Sequence, residues 1–203
     1  KNSSIVIKDI LDALNSIEDY NVKAIGRFWE DYNKNYICLE SKSSLKIKTS
    51  LEKINKKVKR MIVSKDKKNR TDEKYNIRNY DQTKQFYSTK KFLNKIPFKP
   101  EAIIVLSMQH TTSYKNLYEL NKATNAPIFI YMMDMAAITG GCHYAWDCIG
   151  YYKKCGMCPA YKSNIEKDQS RFNWEFKNKY INLTDITIIS GSEWQYRDRK
   201  SVV

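Results

Sequence analysis

The chain has 203 residues, a mass of 24.0 kDa, a 42% hydrophobic fraction and 15 tyrosines, enough to bury a core and too apolar for a disordered segment. No apolar run approaches the roughly 18 residues that a spanning helix needs. The formal net charge is +14, and residues 42–100 hold all of the excess, with 19 Lys and Arg against 5 Asp and Glu. Such a stretch suits a phosphate-rich partner (nucleic acid, anionic lipid or a phosphorylated carrier) or is simply a solvated face.

The first periodic segment is 4–18, where Ile7, Ile10, Leu11, Leu14 and Ile17 share one helical face and Ser3 or Ser4 can cap the start. Residues 22–29 read as a strand. Residues 45–63 are basic and weakly amphipathic, 64–82 lack a period and read as an exposed loop, and 86–96 form a helix stopped by Pro97 and Pro100. The continuous apolar run at 102–108 predicts a strand buried on both faces. A helix at 114–124 and a second buried strand at 127–132 follow. That order predicts an α/β fold with a parallel sheet and helices on both faces, in one domain over 1–203. A polar helix at 169–181 and a strand at 185–190 extend the pattern, and no internal repeat is visible.

Between the second buried strand and the polar helix lies a cysteine-rich loop, 139–162. Its Cys142, Cys148, Cys155 and Cys158 follow the spacing C-x5-C-x6-C-x2-C, with His143 directly after the first. Four thiols this close, ending in C-x2-C, can converge on one structural zinc. Disulfides and free structural thiols are the other readings. Glycines 140, 141 and 156 supply turns for such convergence. Cys38 stands apart and reads as a small buried hydrophobe.

In open parallel sheets, ligands sit beyond the carboxyl ends of the strands. The loops after Met108, Met132 and Ser190 are therefore the candidate walls. The first carries Gln109, His110, Thr111 and Thr112; the second carries Asp134, Thr139, Gly140 and Gly141; the third carries Ser192, Glu193 and Trp194. Asp134 is the candidate functional carboxylate, or else a cap for its own turn. His110 is the candidate acid–base partner, or a satisfied surface histidine. Thr139, Gly140 and Gly141 either let backbone N–H groups approach a ligand or lead the turn into the cysteine loop. Trp194 and Tyr144 could stack on sugar faces or pack in the core.

The string from Asp134 through Thr139-Gly-Gly-Cys-His-Tyr144 to Cys155-Gly-Met-Cys-Pro159 resembles bacterial family 4 (group 1) glycosyltransferases of polysaccharide biosynthesis. Asp168-Gln-Ser170, Lys177 and Ser190-Gly-Ser-Glu-Trp194 continue the likeness, which covers 102–200, about half the chain. The resemblance implies the Rossmann-like N-terminal, acceptor-side half of a two-domain GT-B enzyme, without the first strand and without the donor domain. It implies a cytoplasmic retaining transferase with no catalytic metal. A nucleotide-sugar donor would be held by the absent C-terminal domain, and the acceptor would be a glycan or lipid-linked sugar. Peripheral contact with anionic membrane is expected, and specific nucleic-acid binding is not. The histidine that precedes the aspartate in those relatives falls at Met133, and their Leu-His-Trp strand end falls at Leu106-Ser107-Met108. His110 is the residue placed to substitute. A catalytically inactive relative and a zinc-stapled nucleic-acid-binding module are the alternatives.

Overall fold

The computed structural model describes residues 2–27, 34–44, 50, 72–77, 81–193 and 196. The chain divides into two units, Lys1–Asp66 and Lys67–Val203. The amphipathic segment at 45–63 falls, except for residue 50, outside the described residues.

In the first unit, helix α1 spans Asn2–Asn15 and ends three residues before the expected boundary. Strand β1, Ala24–Gly26, is shorter than the 22–29 run and pairs in parallel with β2, Tyr36–Cys38, which the sequence pattern did not single out. Leu11, Tyr36 and Leu39 are its buried apolar residues.

The second unit carries a parallel three-stranded sheet in the order β3–β4–β5: Ile103–Val105, Ile128–Met132 and Ile186–Ser190. Its registers pair Val105 with Ile130 and Met132 with Ser190. β4 is central, and its alternate residues Ile128, Ile130 and Met132 are all buried. The run at 102–108 forms only a short edge strand, and it is not covered on both faces: Ile104 is 49% exposed and Ile189 of β5 is 39% exposed. A period of two thus governs stretches whose composition reads as continuous apolar.

Two helices cross between the strands. After the short α2, Thr89–Leu93, comes α3, Tyr114–Thr124, which opens on a capping box: Asn116 N–H donates to Ser113 Oγ, and Ser113 N–H donates to Asn116 Oδ1. Asn125 closes α3 in the left-handed conformation. Helix α4, Gln169–Leu183, is capped by Asp168, which accepts from the N–H groups of Ser170 and Arg171. Consecutive parallel strands joined by right-handed crossovers put both helices on one face. They meet there, with Tyr118 and Tyr180 ring centroids 5.7 Å apart. Helices on both faces were expected; among the described residues these two share one. The core lies beneath them, with Val105, Leu117, Ile128, Ile130, Met132 and Ile188 buried. No described helix is long and apolar enough to cross a membrane.

The segment at 72–77, expected to lie in an exposed loop, is tied down. Glu73–Tyr75 forms a 3-10 turn, and Tyr75 is buried. The Tyr75 carbonyl accepts from His143 N–H (3.0 Å), and Asp72 N–H donates to the Ala160 carbonyl (2.8 Å). The local sequence has no period because its partners are distant in the chain.

Two glycines of the cysteine loop differ in what they allow. Gly156 has φ +101°, and a Cβ there would lie 2.0 Å from the Glu166 carbonyl oxygen, whereas a Cβ at Gly150 would meet nothing nearer than 3.5 Å. Gly156→Ala should therefore cost about 1–3 kcal/mol in urea unfolding, and Gly150→Ala about 0.5 kcal/mol or less. Equal effects would contradict this account of the loop.

Candidate functional site

The carboxyl end of β4 delivers the chain into a turn, Met135–Ala137, whose N-cap is Asp134. Asp134 caps this turn with one oxygen and meets a histidine with the other. Its Oδ1 accepts from Ala136 N–H (2.8 Å), which is a cap, while Oδ2 lies 2.6 Å from His143 Nδ1. The loop folds back on itself through Met135 N–H, which donates to the His143 carbonyl (3.1 Å). Gln109, from the loop after β3, places its amide Nε2 2.8 Å from His143 Nε2 and 3.4 Å from Nδ1. The Asp134 carboxylate can only accept, so His143 carries a proton on Nδ1, directed at Oδ2.

In this chain of Gln109, His143 and Asp134 the histidine is buried and the two ends are half-buried. The His143 side chain is 6% exposed and that of Asp134 is 26%. Burial pushes the Asp134 pKa up, but hydrogen bonds from His143 and the Ala136 amide, with the nearby Lys177 charge, outweigh burial and hold the carboxyl below its ordinary value. Asp134 is an anion at neutral pH. Each oxygen keeps acceptor capacity beyond the bond it already makes.

The imidazole at Asp134 is thus His143 and not His110. His110 is exposed, has φ +52° and stands edge-on to Phe86, with ring centroids 5.0 Å apart. Met133, where the resemblance leads one to expect histidine, is 37% exposed. In the sequence His143 is marked only by its place directly after Cys142. The overlooked signal was its place on a loop that returns to the end of β4, which no local pattern encodes.

Thr139, Gly140 and Gly141 pack against protein instead of opening to a ligand. Thr139 is fully buried and donates Oγ1–H to the Cys142 carbonyl (2.6 Å). At Gly140 a Cβ would lie 2.4 Å from the Ser170 carbonyl oxygen, so glycine permits close approach to α4. The Gly140 carbonyl accepts from Asn173 Nδ2 (2.9 Å). These are the turn residues leading into the cysteine loop, the second of the two readings considered for them. Ser192 and Glu193 line a cavity of about 450 Å³ with Ile188, Ser190, Gly191 and Tyr196, at the carboxyl end of β5. Trp194 lies outside the described residues. The Oγ1 of Thr112 and the Oγ of Ser190, beyond β3 and at the end of β5, are buried with no hydrogen-bond partner among the described residues.

Helix α4 supports this edge through a buried polar stripe of Ser170, Asn173 and Lys177. Lys177 is 3% exposed and donates to the carbonyls of Ala136 (2.6 Å) and Thr139 (2.7 Å), so it braces both ends of the turn that carries Asp134. Burial lowers its pKa to about 8, opposed by the nearby Cys142, Cys155 and Asp134.

Cys142, Cys148, Cys155 and Cys158 line one small cavity of about 20 Å³, and none of them forms a disulfide. Burial raises the thiol of Cys142 to about 11 and that of Cys155 to about 12, and moves Cys158 in the same direction. Among the described residues, no group of three or more His, Cys, Asp and Glu is already arranged to share an ion.

A pH dependence follows from Asp134. Its folded pKa lies below the ordinary 3.8, so its contribution to stability is complete above that value and is lost as pH falls through the folded pKa. Urea unfolding of the wild type and Asp134→Asn should give a stability gap that is constant near neutral pH and narrows below about pH 4. A gap that widens on acidification would reverse the assignment.

No protein-family model, no curated protein and no solved structure matches this chain.

Proposed function

We propose that this chain is the acceptor-side, Rossmann-like half of a GT-B retaining glycosyltransferase that works at the cytoplasmic face of a membrane in surface-polysaccharide assembly. The observation that carries the reading is the hydrogen-bonded chain of Gln109, His143 and Asp134, presented at the carboxyl edge of a parallel sheet. Ligands of such sheets bind at that edge. Of the three buried hydroxyls without a partner among the described residues, Thr112, Thr184 and Ser190, the first and last lie at that edge and favour a ligand rich in hydroxyl groups, since buried polar atoms are normally satisfied.

In this reading, Asp134 accepts a hydrogen bond from the attacking hydroxyl of the acceptor and fixes its direction. A bond forms between that oxygen and the anomeric carbon of the donor as the bond from this carbon to the nucleoside diphosphate breaks on the same face. The hydroxyl proton leaves with the forming bond, toward Asp134 or the departing phosphate. His143 and Gln109 do not touch the acceptor; they orient the carboxylate. Holding the reacting groups in line supplies much of the rate. The donor and its diphosphate belong to a second domain, and the basic residues of 42–100 gain affinity for anionic lipid near the acceptor.

The test is a transfer assay on the full protein with a panel of nucleotide sugars and lipid-diphosphate-linked acceptors, alongside nucleic-acid binding across a salt series. Transfer with retained anomeric configuration supports the reading. Tight, sequence-selective nucleic-acid binding at physiological salt would replace it with the basic-module alternative, because a phosphate-tracking surface alone binds weakly and loses affinity steeply with salt. Absence of transfer with every donor, in folded protein, would leave an inactive relative that only binds glycans.

A further inference from the structure

We propose that Cys142, Cys148, Cys155 and Cys158 hold one zinc ion in a closed structural site that anchors the loop carrying His143. The four residues line a single cavity of about 20 Å³. That is roughly the space of one water-sized occupant. Four sulfur donors with a terminal C-x2-C suit a tetrahedral thiophilic ion, and a full set of four leaves no open coordination position.

The backbone around the cavity is shaped for this. Cys155 N–H donates to the Gly150 carbonyl (2.9 Å), which brings the second and third cysteines of the loop together. Cys155, Gly156 and Met157 all have positive φ, so the chain wraps tightly between the last two cysteines. Two of these are not glycine, and that local cost needs compensation from the surroundings. The start of α4 clamps the same turn: Cys158 N–H donates to Asp168 Oδ2 (2.8 Å) and Gly156 N–H to Ser170 Oγ (3.0 Å).

The sulfurs also have the outer partners that thiolate ligands use. The Gly140 amide bonds to Cys155 and the Ala160 amide to Cys158. Four thiolates around a divalent ion carry net negative charge. The buried Lys177 ammonium, beside Cys142 and Cys155, supplies a compensating cation. Drawing the four side chains inward across this cavity of about 20 Å³ completes the site. Because His143 follows Cys142 directly, the ion would fix one end of the segment that holds the imidazole against Asp134.

The experiment uses full-length protein produced in zinc-supplemented medium and purified under reducing, chelator-free conditions. Elemental analysis should find about one zinc per chain, and X-ray absorption should show four sulfur neighbours at about 2.3 Å. Chelation should lower the melting temperature, and re-addition of zinc should restore it. Cobalt(II) in place of zinc should give an intense sulfur-to-metal charge-transfer band. Cys155→Ser should lose that band while Cys38→Ser keeps it. Absorption data on wild type need no variant, so a misfolded Cys155→Ser does not blunt the test. Metal-free protein, an iron chromophore, or a shell dominated by nitrogen or oxygen would overturn the proposal. None of these readouts involves a sugar, so failure here is distinct from failure of the transferase reading.

Discussion

Asp134→Asn is expected to lower sugar-transfer turnover by about two to four orders of magnitude, the range for losing a positioned acid–base group. The substitution keeps size and shape but removes the negative charge and leaves one accepting oxygen where two are used, by Ala136 N–H and by His143. His143→Ala should fall by a comparable factor through kcat with little change in KM, since His143 is buried and acts through the carboxylate. His143→Asn places an amide donor near the position of Nδ1 and should recover part of the loss. His110→Ala should stay near wild type, because its ring meets Phe86 and not Asp134. The decisive comparison is kinetics with thermal melts on each variant. Folded Asp134→Asn with near-native turnover would remove Asp134 from the site and leave it a turn cap. A large loss in His110→Ala alone would restore the histidine first expected from the sequence.

Lys177→Met should lower stability by about 2–4 kcal/mol. The swap preserves length and removes the donor to the carbonyls of Ala136 and Thr139. A buried polar group left unpaired costs about 1–3 kcal/mol. Relief of the buried ammonium offsets part of that cost, since replacing buried charge by an apolar side chain of similar volume can stabilise. The balance still favours loss, because two acceptors are orphaned and Asp134 loses a neighbouring positive charge at once. Urea unfolding monitored by tryptophan fluorescence measures it. A variant as stable as wild type would mean that the turn carrying Asp134 stands without its brace.

The local pattern in the sequence carried the main elements. Apolar runs gave β4 and β5, the periodic segment at 114–124 gave α3 to the residue, and the polar stretch beginning at Gln169 gave α4. Each is specified by neighbours within a turn or two, through side-chain alternation, caps and propensity. Asp134 was legible for the same reason: a carboxylate at the end of a buried strand is a local fact with a short list of meanings. The convergence of the four cysteines on one cavity was legible from spacing alone, because the loop is too short to scatter them.

What required the tertiary structure were the pairings across long separations. His143 meets Gln109 from another loop and Tyr75 from a segment without periodicity. Asn173 and Lys177 look like ordinary polar helix residues until α4 packs against the turn at 135–140 and turns them inward. The glycine at 140 reads as a ligand-approach signal in sequence and proves to be a contact with the Ser170 carbonyl. Burial on one sheet face only, with Ile104 and Ile189 on the other, likewise depends on where the crossover helices lie. By itself the sequence determined which segments are helix or strand, where the thiols cluster and which carboxylate ends β4, because those depend on contacts near in the chain. Only the tertiary structure decided which histidine faces that carboxylate and which lysine braces it, because hydrogen bonds between distant segments leave no periodic trace in either one.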